Sequence, residues 1–166
     1  MTSDDNKRFL RLLLASSKGA LFLNSAQAGC REQDAIQAVA CAITPCGLTS
    51  LTMDIRQFGN TGDYFTALEN IPPEVAVAHF TGCSEWIRNK VYSDDPSSTL
   101  QFIHRINLFR ESMFQIPVKK IWWLDDEAIG FLAREATDLW SWRAGVFVID
   151  PDKSFHCRSS PPAPSA

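Results

Sequence analysis

The segment from Pro117 to Asp150 constrains this chain more than any other. It reads as a buried strand around Ile121-Trp-Trp-Leu124, a helix that ends in an aromatic and basic knot, and a second strand up to Asp150. Between strand and helix stand Asp125-Asp126-Glu127. Three acids at a helix start complement the positive end of its dipole, with Asp125 or Asp126 as the cap, and this structural reading is preferred over a metal site.

The rest of the chain repeats the alternation. A helix over residues 4–15 carries Phe9, Leu10, Leu12, Leu13 and Leu14 behind Ser3 and Asp4-Asp5, and Lys18-Gly19 ends it. The apolar run Ala20–Leu23 follows as a strand covered on both faces. After the loop Asn24–Arg31 come a helix from Arg31 to Ile43, closed by Pro45 and Gly47, and a strand over 48–55. A short helix from Asp63 to Asn70, with Asp63 as its cap, leads past Pro72-Pro73 to a strand at Val75–Phe80. Residues 83–98 are polar and mixed. A long amphipathic helix over 98–115 has Phe102, Ile106, Phe109 and Met113 on one stripe. Strands alternating with helices of this length predict a parallel five-stranded sheet with helices on both faces, a three-layer α/β/α domain over residues 1–150. The Pro- and Ser-rich tail 151–166 is expected to be disordered.

Composition excludes several classes of function. A net charge of −3, from 16 basic and 19 acidic residues mixed along the chain, leaves no basic footprint for nucleic acid or for a membrane surface. No apolar run approaches the ~20 residues of a membrane span, and the start does not have the pattern of a signal peptide. The five cysteines follow no framework spacing and read as reduced thiols of a cytoplasmic protein. Cys41-x4-Cys46 is at most half of a zinc site, so no metal is expected.

Chemistry in an open α/β sheet gathers beyond the carboxyl ends of the strands, which points to the loop Asn24–Arg31. It holds one glycine, no lysine and no following hydroxyl, so it departs from the loop that cradles phosphates. Asn24, Ser25, Gly29 and Arg31 remain candidates to meet a phosphate at the helix start, which would bring ATP or GTP with magnesium. Asp54 is a solitary carboxylate. The strand at Val75–Phe80 ends in His79-Phe-Thr-Gly82 where a nucleotide hydrolase would keep a metal-binding acid, and His79 reads as a packed residue rather than a ligand. No catalytic constellation assembles, and the chain is read as non-catalytic and free of cofactors. In Trp140-Ser-Trp-Arg143 two indoles beside an arginine allow a cation–π stack, with one ring in the core and the other toward an interface. The preferred role is a structural knot closing the turn to Gly145. Trp140, Trp142 and Arg143 are the candidate interaction surface.

These same residues carry a resemblance. Ile106-Asn-Leu-Phe-Arg-Glu-Ser112, Ile116-Pro-Val118, Ile121-Trp-Trp-Leu-Asp125 and Leu132-Ala-Arg-Glu-Ala-Thr-Asp-Leu-Trp-Ser-Trp-Arg-Ala-Gly-Val-Phe147 resemble a module of bacterial multidomain proteins. Its typical ending is "APDFWSWRSGVFEF", and it commonly precedes tetratricopeptide repeats or other signalling domains. Arg8–Leu14, Gly19–Asn24 and Thr81-Gly82 also fit, so the resemblance covers about residues 7–149, specific at the C-terminal end. Such modules are similar to signal-transduction NTPases with a degenerate phosphate loop. The resemblance implies the strand order 5-1-4-3-2 and carries Arg143 to the place of a sensing arginine. It also implies an adaptor or sensor in a bacterial signalling or defence assembly. No repeat domain follows, so the output is expected through a protein partner in trans, with self-association through the knot or the long helix as a further reading.

Overall fold

The computed structural model describes residues 5–58, 61–91 and 96–155. Five strands, β1 (Leu21–Ala26), β2 (Thr49–Asp54), β3 (Val75–Thr81), β4 (Lys119–Trp123) and β5 (Gly145–Ile149), form one sheet in the order β2-β3-β4-β1-β5. Every pairing is parallel. Read from the other edge this is 5-1-4-3-2, so both the three-layer class and the order are as expected. Helices α1 (Asp5–Ala15) and α2 (Glu32–Ile43) cover one face. The other face carries α3 (Thr61–Glu69), α4 (Cys83–Val91), α5 (Pro96–Gln115), α6 (Asp126–Glu135) and α7 (Thr137–Trp142).

Strand parity builds the two cores. Phe22, Ile121, Trp123 and Phe147 pack under Phe9, Leu13, Ile36 and Val39, and Phe9 lies edge-on to Phe22 at 5.5 Å. Leu21, Leu23, Phe80 and Trp122 point the other way, into Tyr64, Trp86 and Leu132. There Trp122 donates its indole N–H to the Tyr64 hydroxyl at 3.0 Å, which satisfies the polar end of a buried ring.

Several boundaries move. β1 runs on to Ala26, so Asn24 and Ser25 belong to the strand and not to the loop, because they continue the ladders to β4 and β5. Residues 83–91 form a helix that the polar composition concealed; only one side of it is apolar, through Cys83, Trp86 and Ile87. The helix after β4 breaks in two at Ala136, whose backbone leaves the helical region. Helix α3 begins at Thr61, which places Asp63 inside its first turn instead of at the cap. The side chains of Phe102, Ile106 and Phe109, the Ser3 and Asp4 cap, and residues 156–166 lie outside the described residues. Of the tail, Phe155 is buried beside α1 and α2, and Asn6 ties α1 to the carbonyls of Asp150 at 2.8 Å and Lys153 at 3.1 Å. Residues 151–155 therefore belong to the packed domain, since the buried Phe155 side chain and the Asn6 bond to Lys153 outweigh the composition.

Candidate functional site

The chain leaves β1 for α2 on one face and β4 for α6 on the other, in opposite directions. Adjacent strands whose connections diverge leave a crevice at their carboxyl ends, the usual ligand position of an open α/β sheet. A crevice of about 590 Å³ lies there, between Ser25–Ala28, Cys30, Glu32, Ser84 and Leu124–Asp126.

Its walls are held by backbone geometry. The turn after β1 closes when Cys30 N–H donates to the Gln27 carbonyl at 2.9 Å, while Gln27 N–H prolongs the β5 ladder to Ile149 at 2.8 Å. Gly29 stands at φ +85°, a conformation side chains resist. Opposite, Leu124 N–H reaches the Asn24 carbonyl and Asp125 N–H the Ser84 hydroxyl, both at 2.8 Å. Asp125 is the cap of α6, accepting from Ala128 N–H at 2.9 Å, as expected for the acids after β4.

The electrostatics are acidic and largely self-paired. Arg56 is gripped by Asp54 at 2.7 Å and by Glu85 at 2.7 Å, and Gly82 leaves the room that Arg56 occupies. These two carboxylates hold the guanidinium charged, and Arg56 in turn pulls the Asp54 carboxyl below its ordinary range. Arg88 pairs with Asp125 and, at 3.7 Å, with Glu127. Arg31 turns outward to Asp34 at 2.9 Å. The first turn of α2 already carries Glu32 and Asp34, which occupy the positive end of its dipole.

The residues expected to hold a nucleotide are not brought together. Ser25 lines the crevice and Gly29 shapes its turn, but Arg31 faces solvent. Arg143 lies at the other end of the sheet, because Ala144 N–H pairs with the Leu21 carbonyl where β1 begins. Five steps of about 3.3 Å along β1 put the loop roughly 16 Å away, farther than an arginine side chain spans. The expectation that Arg143 reads a phosphate held by Asn24–Arg31 is therefore corrected.

Asn24 does not line the crevice. It is fully buried on the face covered by α2, level with Trp123 and Phe147, and neither end of its side-chain amide has a partner among the described residues. An unpaired buried amide is costly. Asn24→Leu, of similar volume, is expected to stabilise the protein by about 1–2 kcal/mol. Chemical denaturation would show it, and a loss of stability would mean that the amide is satisfied in solution. His79 lies on the same face, where its Nδ1 accepts from the Trp123 indole at 3.2 Å, and burial pushes its pKa down to about 4. It is a packed, neutral residue, as the sequence suggested.

At the amino end of the sheet the knot forms on α7. Trp140 is half-buried with the Arg143 guanidinium stacked 3.8 Å from its ring centre, whereas Trp142 is 44% exposed. The Trp142 ring leans on Phe114 of α5 at 5.2 Å and lies 5.6 Å from the Arg110 guanidinium. Neither a family model, nor a curated protein, nor a solved structure matches the chain. Among the described residues no helix is long and apolar enough to cross a membrane.

Glu32, Gln27, Ser84 and Asp125 were not singled out as a site. In the sequence the ends of β3 and β4 are read only for a metal-binding acid, which leaves Ser84 unnoticed and assigns Asp125 to the helix cap alone. Glu32 becomes relevant only because α2 starts where it does.

Proposed function

We propose that this domain is a non-catalytic adaptor or sensor that acts by binding a protein partner through α5 and α7, in a signalling or defence assembly of the kind the sequence resembles. One observation carries the reading: Trp142 is exposed yet held in place by Phe114 and Arg110. A large aromatic fixed before binding loses little entropy on docking, and Trp and Arg are the residue types that dominate interface energies. The partner that fits presents an apolar side chain to the indole, beside an Arg110 already paired with Asp138 at 3.5 Å.

The nucleotide reading has less support. The phosphate-loop candidates and Arg143 sit at opposite ends of β1, and the arginines around the crevice already hold carboxylates.

A photo-crosslinking residue at position 142, compared with one at Gln33 on the opposite face, is expected to trap one partner from 142 alone. Reconstituted with that purified partner, Trp142→Ala should weaken binding at least about 30-fold, or about 2 kcal/mol. Unchanged affinity in the variant, or equal trapping from both positions, would defeat the proposal. Sizing at several concentrations separates a distinct partner from a second copy of the chain.

A further inference from the structure

The crevice at the switch point holds polar groups that folding leaves unused. Three carboxylates, Glu32, Asp125 and Asp126, line it, and among the described residues no lysine, arginine or histidine does. Ser25 is only 7% exposed, faces the crevice and makes no hydrogen bond with the described residues. Gln27 Oε1 is buried on the same wall without a partner. Glu32 makes no hydrogen bond to them either; burial raises its carboxyl above the ordinary range, with Asp54 adding to the effect and Arg56 opposing it. Buried polar atoms in folded proteins are almost always satisfied, so the orphaned Gln27 Oε1, beside the unengaged Ser25 and Glu32 side chains, marks a place where something else completes it.

We propose that this crevice binds a guanidinium or alkylammonium group, received by the Glu32 carboxylate, the Gln27 side-chain carbonyl and the Ser25 hydroxyl. The reasoning is one of donors and acceptors. Glu32 and Gln27 Oε1 can only accept, Ser25 can do so, and the neighbouring arginines are committed to other acids. A planar guanidinium offers five donors in a fixed fork and suits several acceptors at once. Asp126 at the rim adds a negative field, whereas Asp125 remains bound to Arg88 and to the start of α6. The volume, about 590 Å³, is that of a pocket for a small ligand or one inserted side chain. The proposal is independent of the Trp142 surface, which lies at the other end of the sheet.

The test is a titration of the full chain with three probes: agmatine, an end-blocked Gly-Gly-Arg-Gly-Gly peptide, and inorganic phosphate. Calorimetry should show saturable binding of a guanidinium probe, with amide shifts at Gln27 and Ser84. Glu32→Gln is expected to weaken it by about tenfold or more, and Ser25→Ala by about threefold, at unchanged thermal stability. Tighter binding of agmatine identifies a free small cation, and tighter binding of the peptide an arginine carried by a protein. Should Glu32→Gln fail to fold, Gln27→Leu carries the same test. Absence of saturation with either cation, full affinity in the variants, or phosphate binding at these amides would overturn the proposal.

Discussion

Stability is expected to climb between pH 7 and about pH 9, above which the buried Cys83 thiol opposes the rise. Lys120→Met is expected to remove most of the climb, the remainder belonging to Lys119. Lys120 is fully buried on β4, where its ammonium donates to the carbonyls of Gly19 at 3.2 Å, Ile116 at 3.0 Å and Val118 at 2.8 Å. Burial pulls its pKa from 10.5 to about 7, while an unfolded lysine keeps its ordinary value. Between these values the unfolded chain holds a proton that the folded chain has released, so stability rises with pH through that window. Below pH 7 both states are protonated, and the cost of the buried charge is fully present. The whole gap corresponds to up to about 5 kcal/mol. Three carbonyl acceptors favour the ammonium, so a rise of about 2–4 kcal/mol is expected. Methionine keeps the apolar stem and cannot titrate. At pH 10 it should leave the protein about 1–3 kcal/mol less stable, because the carbonyls of Gly19 and Val118 lose a donor. Ile116 still receives the Val118 N–H at 2.8 Å. Denaturant unfolding of both proteins at pH 6.5, 8 and 9.5 decides it; parallel profiles would remove Lys120 as the cause.

Gly19→Ala should destabilise the protein by about 3–4 kcal/mol, at the upper end for an overpacked site. An added Cβ would fall inside the Phe114 carbonyl oxygen and 2.7 Å from its carbon, so the obstacle is backbone and no rotamer change relieves it. Either the turn before β1 or the end of α5 must move. Both are already gripped by Lys120, through the Gly19 and Ile116 carbonyls, and the strain would spread to β4. Thermal unfolding gives the magnitude, and a change below about 1 kcal/mol would show that the two segments are not packed this closely. The variant has a second use. Phe114 supports the Trp142 ring, so a shift of the α5 terminus should also loosen the proposed docking surface. Trp142 fluorescence can follow that effect in a background without the other indoles.

These two residues also show where reading the chain stops. Lys119 and Lys120 stand inside a strand that is buried along its whole length, which hydrophobic pattern alone would discourage. They are tolerated because the amino ends of the strands meet the carboxyl ends of α1 and α5, where backbone carbonyls lack donors. Lys119 serves the Leu13 carbonyl of α1, and Lys120 the three carbonyls near the end of α5. Nothing local announces this. In the same way Asn24 reads as a loop residue because it follows an apolar run, and only the ladders to β4 and β5 draw it into the strand.

Periodicity and punctuation were sufficient for the class. Short apolar runs alternating with longer amphipathic segments leave a parallel sheet between two helical layers as the arrangement that buries both kinds of face. The acids after β4 announced a helix cap, and the strand-end rule pointed to the end of β1 at which the crevice lies. The tertiary structure decided which groups meet. It set Arg143 at the opposite end of the sheet from the loop, left Trp142 outside and Trp140 half inside, and joined Ser25, Gln27, Glu32 and Ser84 around one crevice. The reason is the range of the forces involved. Helix, strand and cap are chosen by neighbours a few residues away, whereas a site is made by segments far apart in the chain, and their relative placement exists only once the sheet has closed.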